Sequence, residues 1–175
     1  MNELVIDPQM NVEKIDELEL AMLEQGHFIE LPVINTFTPG LYSREIFMPK
    51  GTLLTSKVHK TEHPYVILSG KAKVYKADGD FEELEAGFSG ITQPNTRRVL
   101  YIEEDCKWVT FHPLSNEEES ARVNGAEEEE ILALIEDRII EKALLPGTDK
   151  TVNDIYKSLL ETQALTKGDT PCLGQ

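Results

Sequence analysis

The sequence predicts a mainly β protein, an antiparallel sandwich or barrel with helices at both ends, and three observations carry that reading. Between residues 27 and 114 short runs such as "FIELPVI", "LYSREIFM", "YVILSG", "KAKVYKA" and "KWVTFHPL" follow one another, in the pattern of strands with one buried face. Turn formers separate them at short intervals: Gly40, Pro49-Lys50-Gly51, Gly70, Asp78-Gly79-Asp80, Gly87 and Pro94-Asn95. On both sides of this region the apolar spacing lengthens to that of helices.

Each element follows in order. Over residues 11–25, Val12, Ile15, Leu18, Met22 and Leu23 make an amphipathic stripe, and Gly26 reads as a helix cap. That N-terminal extension (residues 1–26) is expected to lie on a face of the β-rich body (27–114). Within the body, "ADGD" is the clearest hairpin, because Asp-Gly supplies the positive φ values of a tight primed turn. Residues 115–125 read as an acidic linker. A helix over roughly 126–144 follows, with Ile131, Leu134, Ile135 and Ile139 on one face. Beyond Pro146-Gly147 a second helix would place Val152, Ile155, Tyr156 and Leu159 together.

The 175 residues suffice for one domain with helical decorations. With 17 basic against 32 acidic residues the formal charge is -15, which opposes approach to a phosphate backbone and argues against nucleic acid as a partner. A local basic pocket for an anion remains open, with Lys57, Arg97 and Arg98 to supply it. Cys106 and Cys172 form no CxxC pair, so neither a disulfide framework nor a thiolate metal site is expected. A reducing cytoplasm is the expected location. No segment nears the roughly 20 apolar residues of a membrane span, and the first residues lack the pattern of an export signal.

The stretch "VHKTEHPYVILSG" holds the chemistry of most interest. Lys57 and His59 share one face of an extended chain, as do His63 and Tyr65. Pro64 biases His63 toward extended backbone, so His63 is expected to open a strand. Two adjacent strands would then present His59 and His63 to one interior, where neutral imidazoles bind divalent metals. A polar turn that happens to carry imidazoles is the competing reading.

Residues 51–70, followed by "GFSGITQPNTRRVLYIEED", resemble the paired motifs of the cupin superfamily, whose fold is a double-stranded β-helix (jelly-roll) barrel. The likeness covers about residues 41–113. It also extends to small cupin-like proteins of phages and prophages. Alignment from Gly70 puts His63 at the glutamate position of the first cupin motif, His59 at the second histidine and Lys57 at the first. In the second motif Gly87 and Pro94 match, and the histidine position falls on Val99. Lysine as an ammonium and valine offer no lone pair, so the resemblance departs from the usual ligand set at two positions.

What the resemblance implies is a divalent metal, with zinc, iron, manganese and nickel undistinguished. His59 and His63 would be ligands, and His112 in "KWVTFHP" a third because that late strand borders a cupin pocket. Glu45, Glu62 or water are alternatives. Arg97 or Arg98, by alternation one inward and one outward, would hold a small anionic ligand, with Arg44, Tyr65 and Tyr101 as further lining. A homodimer is expected by family analogy. No phosphate loop, nucleophile elbow or HExxH pair is present, so the reaction class, if there is one, stays open. The alternative function is a non-catalytic binding or assembly module that uses the barrel as scaffold and the C-terminal helices for pairing.

Overall fold

The computed structural model describes residues 12–25, 31–76 and 81–141. Its element order is α1 (Val12–Gln25), β1 (Val33–Thr38), β2 (Leu41–Met48), β3 (Leu53–Thr55), β4 (His63–Lys76), β5 (Phe81–Glu85), β6 (Ser89–Thr92), β7 (Arg98–Pro113), α2 (Asn116–Val123) and α3 (Glu128–Ile139). The mainly β body with helices before and after it agrees with the sequence reading. The Gly26 cap, His27, the "ADGD" turn, Cys172 and the helix expected beyond Pro146 lie outside the described residues.

Among the described residues every strand pairing is antiparallel. The path runs β1-β2-β7-β4-β5, with β3 on β7 and β6 on β4. The two long strands are shared along their length. β7 takes β2 on its second half, Leu41 to Met48 facing Pro113 to Cys106, and β3 on its first, Leu53 to Thr55 facing Tyr101 to Val99. β4 takes β6 at its start and β5 at its end. Sharing of this kind rolls a sheet around one core in the jelly-roll manner.

The bend sits at Gly70. The β4–β7 register slips between Ile67 and Ala72, and Gly70 there has φ +82°, a conformation open to glycine at little cost. A side chain at that position would meet the Asp105 carbonyl oxygen, with the Cys106 Cα only 2.7 Å away. Inside the roll, Met48, Tyr65, Ile67, Ala72, Val74, Leu84, Leu100, Ile102, Cys106 and Trp108 form the main core.

α1 lies on the outside of the roll, as its stripe predicted. Ile15 is buried against Val99, with Leu18, Leu53 and Tyr75 around them, and the buried Arg97 guanidinium clamps Asp16 and Glu19 of the same helix.

The region after β7 corrects the sequence reading. Residues 116–123 of the expected linker are helix α2, opened by a capping box: the Ser115 side chain accepts from the Glu118 N–H, and the Glu118 carboxylate accepts from the Ser115 N–H. Glu118 is 1% exposed and also receives a two-point contact from Arg138 of α3 (2.7 and 2.9 Å). Arg138 donates further to the Pro113 carbonyl (2.7 Å). The end of β7, α2 and α3 are thereby tied at one buried carboxylate. α3 is shorter than expected, because Ile140 adopts extended backbone and pairs with His59.

Candidate ligand and metal site

Two strands, one loop and one helix bring the histidines together. His63 opens β4 and His112 stands near the end of β7, so each is fixed by the sheet. His59 lies in the loop between β3 and β4. It is held by the bridge to Ile140 and by its carbonyl, which accepts from the Asn95 N–H (2.8 Å). Around it, Lys60 N–H donates to the Ile139 carbonyl (2.7 Å) and Glu141 N–H to Val58 (2.9 Å), so the end of α3 and the His59 loop close on each other. Ring centroids are 4.2 Å apart for His59 and His63, 4.5 Å for His63 and His112, and 5.8 Å for His59 and His112.

His63 and His112 are each 2% exposed. Burial disfavours the imidazolium, and the neighbouring rings add to it: His59 is lowered to about 3 and His112 to about 4, while His63 is lowered chiefly by burial. All three are therefore neutral at pH 7 and carry one lone pair each. The His63 Nδ1 faces the Thr61 carbonyl at 3.4 Å; a carbonyl only accepts, so the proton sits on Nδ1 and Nε2 is bare. His112 Nε2 lies 3.2 Å from Thr110 Oγ1. The Nδ1 atoms of His59 and His112 are buried without a hydrogen-bond partner, which calls for a polar or metallic occupant.

These rings border a cavity of about 510 Å³ inside the roll. Its deep wall is apolar, with Ile46, Met48, Leu54, Leu100 and Trp108, and α3 roofs it with Leu132, Ile135 and Ile139. Arg44 and Arg98 also face it. Tyr42 stacks on His112 (5.8 Å), and its hydroxyl, pushed up to about 12 by burial, donates to Asn35 Oδ1 (2.8 Å). Asn35 in turn reaches Glu128 of α3 (2.8 Å), so the same ring that props His112 is linked to the roof.

Of the predicted residues, His59, His63, His112, Arg98 and Arg44 meet at this cavity. Three others do not line it. Arg97 points outward into its acidic clamp on α1. Tyr65 is core, stacked on Trp108 at 4.7 Å with the Arg98 guanidinium over its ring at 5.5 Å. Tyr101 pairs with Leu53 and Lys73 along the outer run of β7. Val99, at the expected histidine position, faces α1 rather than the cavity. The alternative carboxylate ligands are also elsewhere: Glu45 is paired with Lys107 (3.3 Å), and neither it nor Glu62 borders the cavity. The roof was missed as part of the site. Its apolar stripe was visible in "ILALIEDRII", but no local signal says what a stripe will cover.

The donor chemistry suits a divalent ion, since three neutral imidazoles with bare nitrogens stand within ring-to-ring contact. As the rings are turned, however, no group of three or more His, Cys, Asp or Glu side chains among the described residues is set to hold an ion.

No family model and no curated protein matches the chain. Among solved structures it is similar to a salicylate 1,2-dioxygenase from Pseudoaminobacter salicylatoxidans determined with gentisate (14% identity, TM-score 0.43, 57% of this chain and 30% of that one). It is also similar to the EutQ protein of Clostridium difficile (12%, 0.41, 49% and 69%) and to the Cupin_2 domain of an XRE family transcriptional regulator from Enterobacter cloacae (17%, 0.40, 46% and 93%). The fold is an antiparallel β roll of the jelly-roll kind. The chain spans under a third of the length of the dioxygenase, and the strand pairings described above, not these partial overlaps, define the architecture.

Proposed function

We propose that this protein binds a divalent metal ion through His59, His63 and His112 and takes a small anionic ligand in the adjoining cavity. The observation that carries this reading is the cluster of three neutral imidazoles, two of them with buried, unpartnered Nδ1 atoms, at one end of a cavity of about 510 Å³. Zinc, iron(II), manganese and nickel all accept imidazole nitrogen, and a bound ion would supply a Lewis acid beside the ligand. The protein's own groups do the rest. The Thr61 carbonyl fixes the His63 tautomer, burial keeps the rings unprotonated, the α3 roof restricts water, and Arg44 and Arg98 make the lining attractive to an anion.

Cytoplasmic residence and a homodimer belong to the same reading, and light scattering tests the second. Cobalt(II) titration followed by visible absorbance tests the first claim. A saturating spectrum at one ion per chain, lost in the His59→Ala, His63→Ala double variant, is expected. Identical titrations of both proteins would overturn it.

A further inference from the structure

Arg98 is the feature of the cavity that the histidines do not explain. Its side chain is 8% exposed, and its Nε has no hydrogen-bond partner. Among the described residues no carboxylate forms an ion pair with it. Glu82, the acid whose charge reaches it, is committed to Lys76 at 2.7 Å. One face of the guanidinium is covered by the Tyr65 ring. Its backbone is locked on both sides by Ser56, whose Oγ accepts from the Arg98 N–H (3.0 Å) and whose N–H donates to the Arg98 carbonyl (2.9 Å). A buried guanidinium that is rigidly mounted and lacks a counter-charge is costly unless an anion completes it.

The rest of the lining says which anion. Arg44 is only half-buried, so its charge is more screened than that of Arg98, and Lys57 is paired with Glu136. Arg98 is therefore the deeply buried positive charge of the cavity lining, and a single negative charge balances it. The planar fork of an arginine matches a carboxylate in two parallel hydrogen bonds. Next to it the wall turns apolar at Leu100, Leu54, Met48 and Trp108.

We infer that Arg98 anchors the carboxylate of a monoanionic ligand whose apolar body lies against Leu54, Leu100 and Trp108. This rests on the reading of the cavity as a ligand site, but not on the metal. Phosphate, part monoanion and part dianion near neutral pH, offers no apolar body to lie against that wall, so it should bind poorly.

Calorimetric titration of the full chain with benzoate, benzamide and inorganic phosphate tests the assignment, with and without cobalt(II). Benzoate is expected to bind saturably at one per chain, and benzamide and phosphate at least tenfold more weakly. Arg98→Lys keeps the charge but loses the fork and should weaken benzoate about tenfold; Arg98→Met should abolish it. Circular dichroism establishes that each variant is folded, and the Lys variant serves if the Met variant is not. Wild-type protein stripped of metal with a chelator should still bind benzoate, which separates failure of the metal reading from failure of this one. Equal affinity for benzoate and benzamide, no benzoate binding to the wild type, or unchanged binding in folded Arg98→Lys would each overturn the inference.

Discussion

Replacing Arg138 by methionine removes the clasp that holds the roof of the cavity to the barrel. Methionine keeps the length of the aliphatic stem but deletes two contacts to Glu118 (2.7 and 2.9 Å) and one to the Pro113 carbonyl (2.7 Å). Glu118 stays buried at 1% exposure with only its Ser115 N–H bond (2.7 Å). Stripping one partner from a fully buried ion pair costs about 3–5 kcal/mol. The Arg138 side chain is 31% exposed, so water already screens part of the attraction, and a loss of about 2–3 kcal/mol is the better figure. For a chain of this size that is a fall in melting temperature of roughly 5–10 °C.

Burial alone would raise the Glu118 carboxyl, but the bonds from Arg138 and Ser115 outweigh it and hold the group below its ordinary value. The stabilisation is therefore present above the usual carboxylate range and lost as pH falls through the lowered one. Thermal melts by circular dichroism at pH 7 and pH 4 check both points: the gap between wild type and Arg138→Met should be wide at pH 7 and narrower at pH 4. Arg122→Met, which breaks only the surface pair with Glu119, should leave the melt unchanged. A pH 7 difference under about 0.5 kcal/mol for Arg138→Met, or one equal to that of Arg122→Met, would refute the reasoning.

Three further outcomes are expected. Because His112 falls from its ordinary 6.5 to about 4 on folding, the unfolded chain takes up the proton first; chelator-treated protein should lose about 2 kcal/mol of stability between pH 7 and pH 5 from this residue, and urea titrations of His112→Gln should show a shallower acid loss. Gly70→Ala forces a side chain into the Asp105 carbonyl at positive φ, so it should cost about 3 kcal/mol or more by urea denaturation. Arg97→Met strips the clamp on Asp16 and Glu19 and should destabilise by about 3 kcal/mol, while cobalt and benzoate binding stay at wild-type levels because Arg97 faces away from the cavity.

The strands were legible because alternation and turn residues are local signals. "KAKVYK" and "FEELE" pair as the sequence implied, Lys71 to Tyr75 opposite Glu85 to Phe81. Helix α2 was missed since its glutamates read as a charged linker; the Ser115 to Glu118 capping box was there in "SNEE", but its worth depends on Arg138, twenty residues away. His59 and His63 were legible as a pair from Pro64 and the strand that follows. His112 joins them through the β2 and β4 pairings of β7, which no single segment encodes. The two adjacent arginines divide as alternation requires, Arg98 to the cavity and Arg97 to α1, but which one turns inward depends on the register against β3 and β4.

The central claim is that the three imidazoles share one ion. Elemental analysis of the purified wild-type protein beside His63→Gln and His112→Gln tests it most directly. Close to one divalent transition-metal ion per wild-type chain, falling to a small fraction of that in both variants, is the predicted result. The same trace quantity in all three proteins, with the variants still folded, would contradict it.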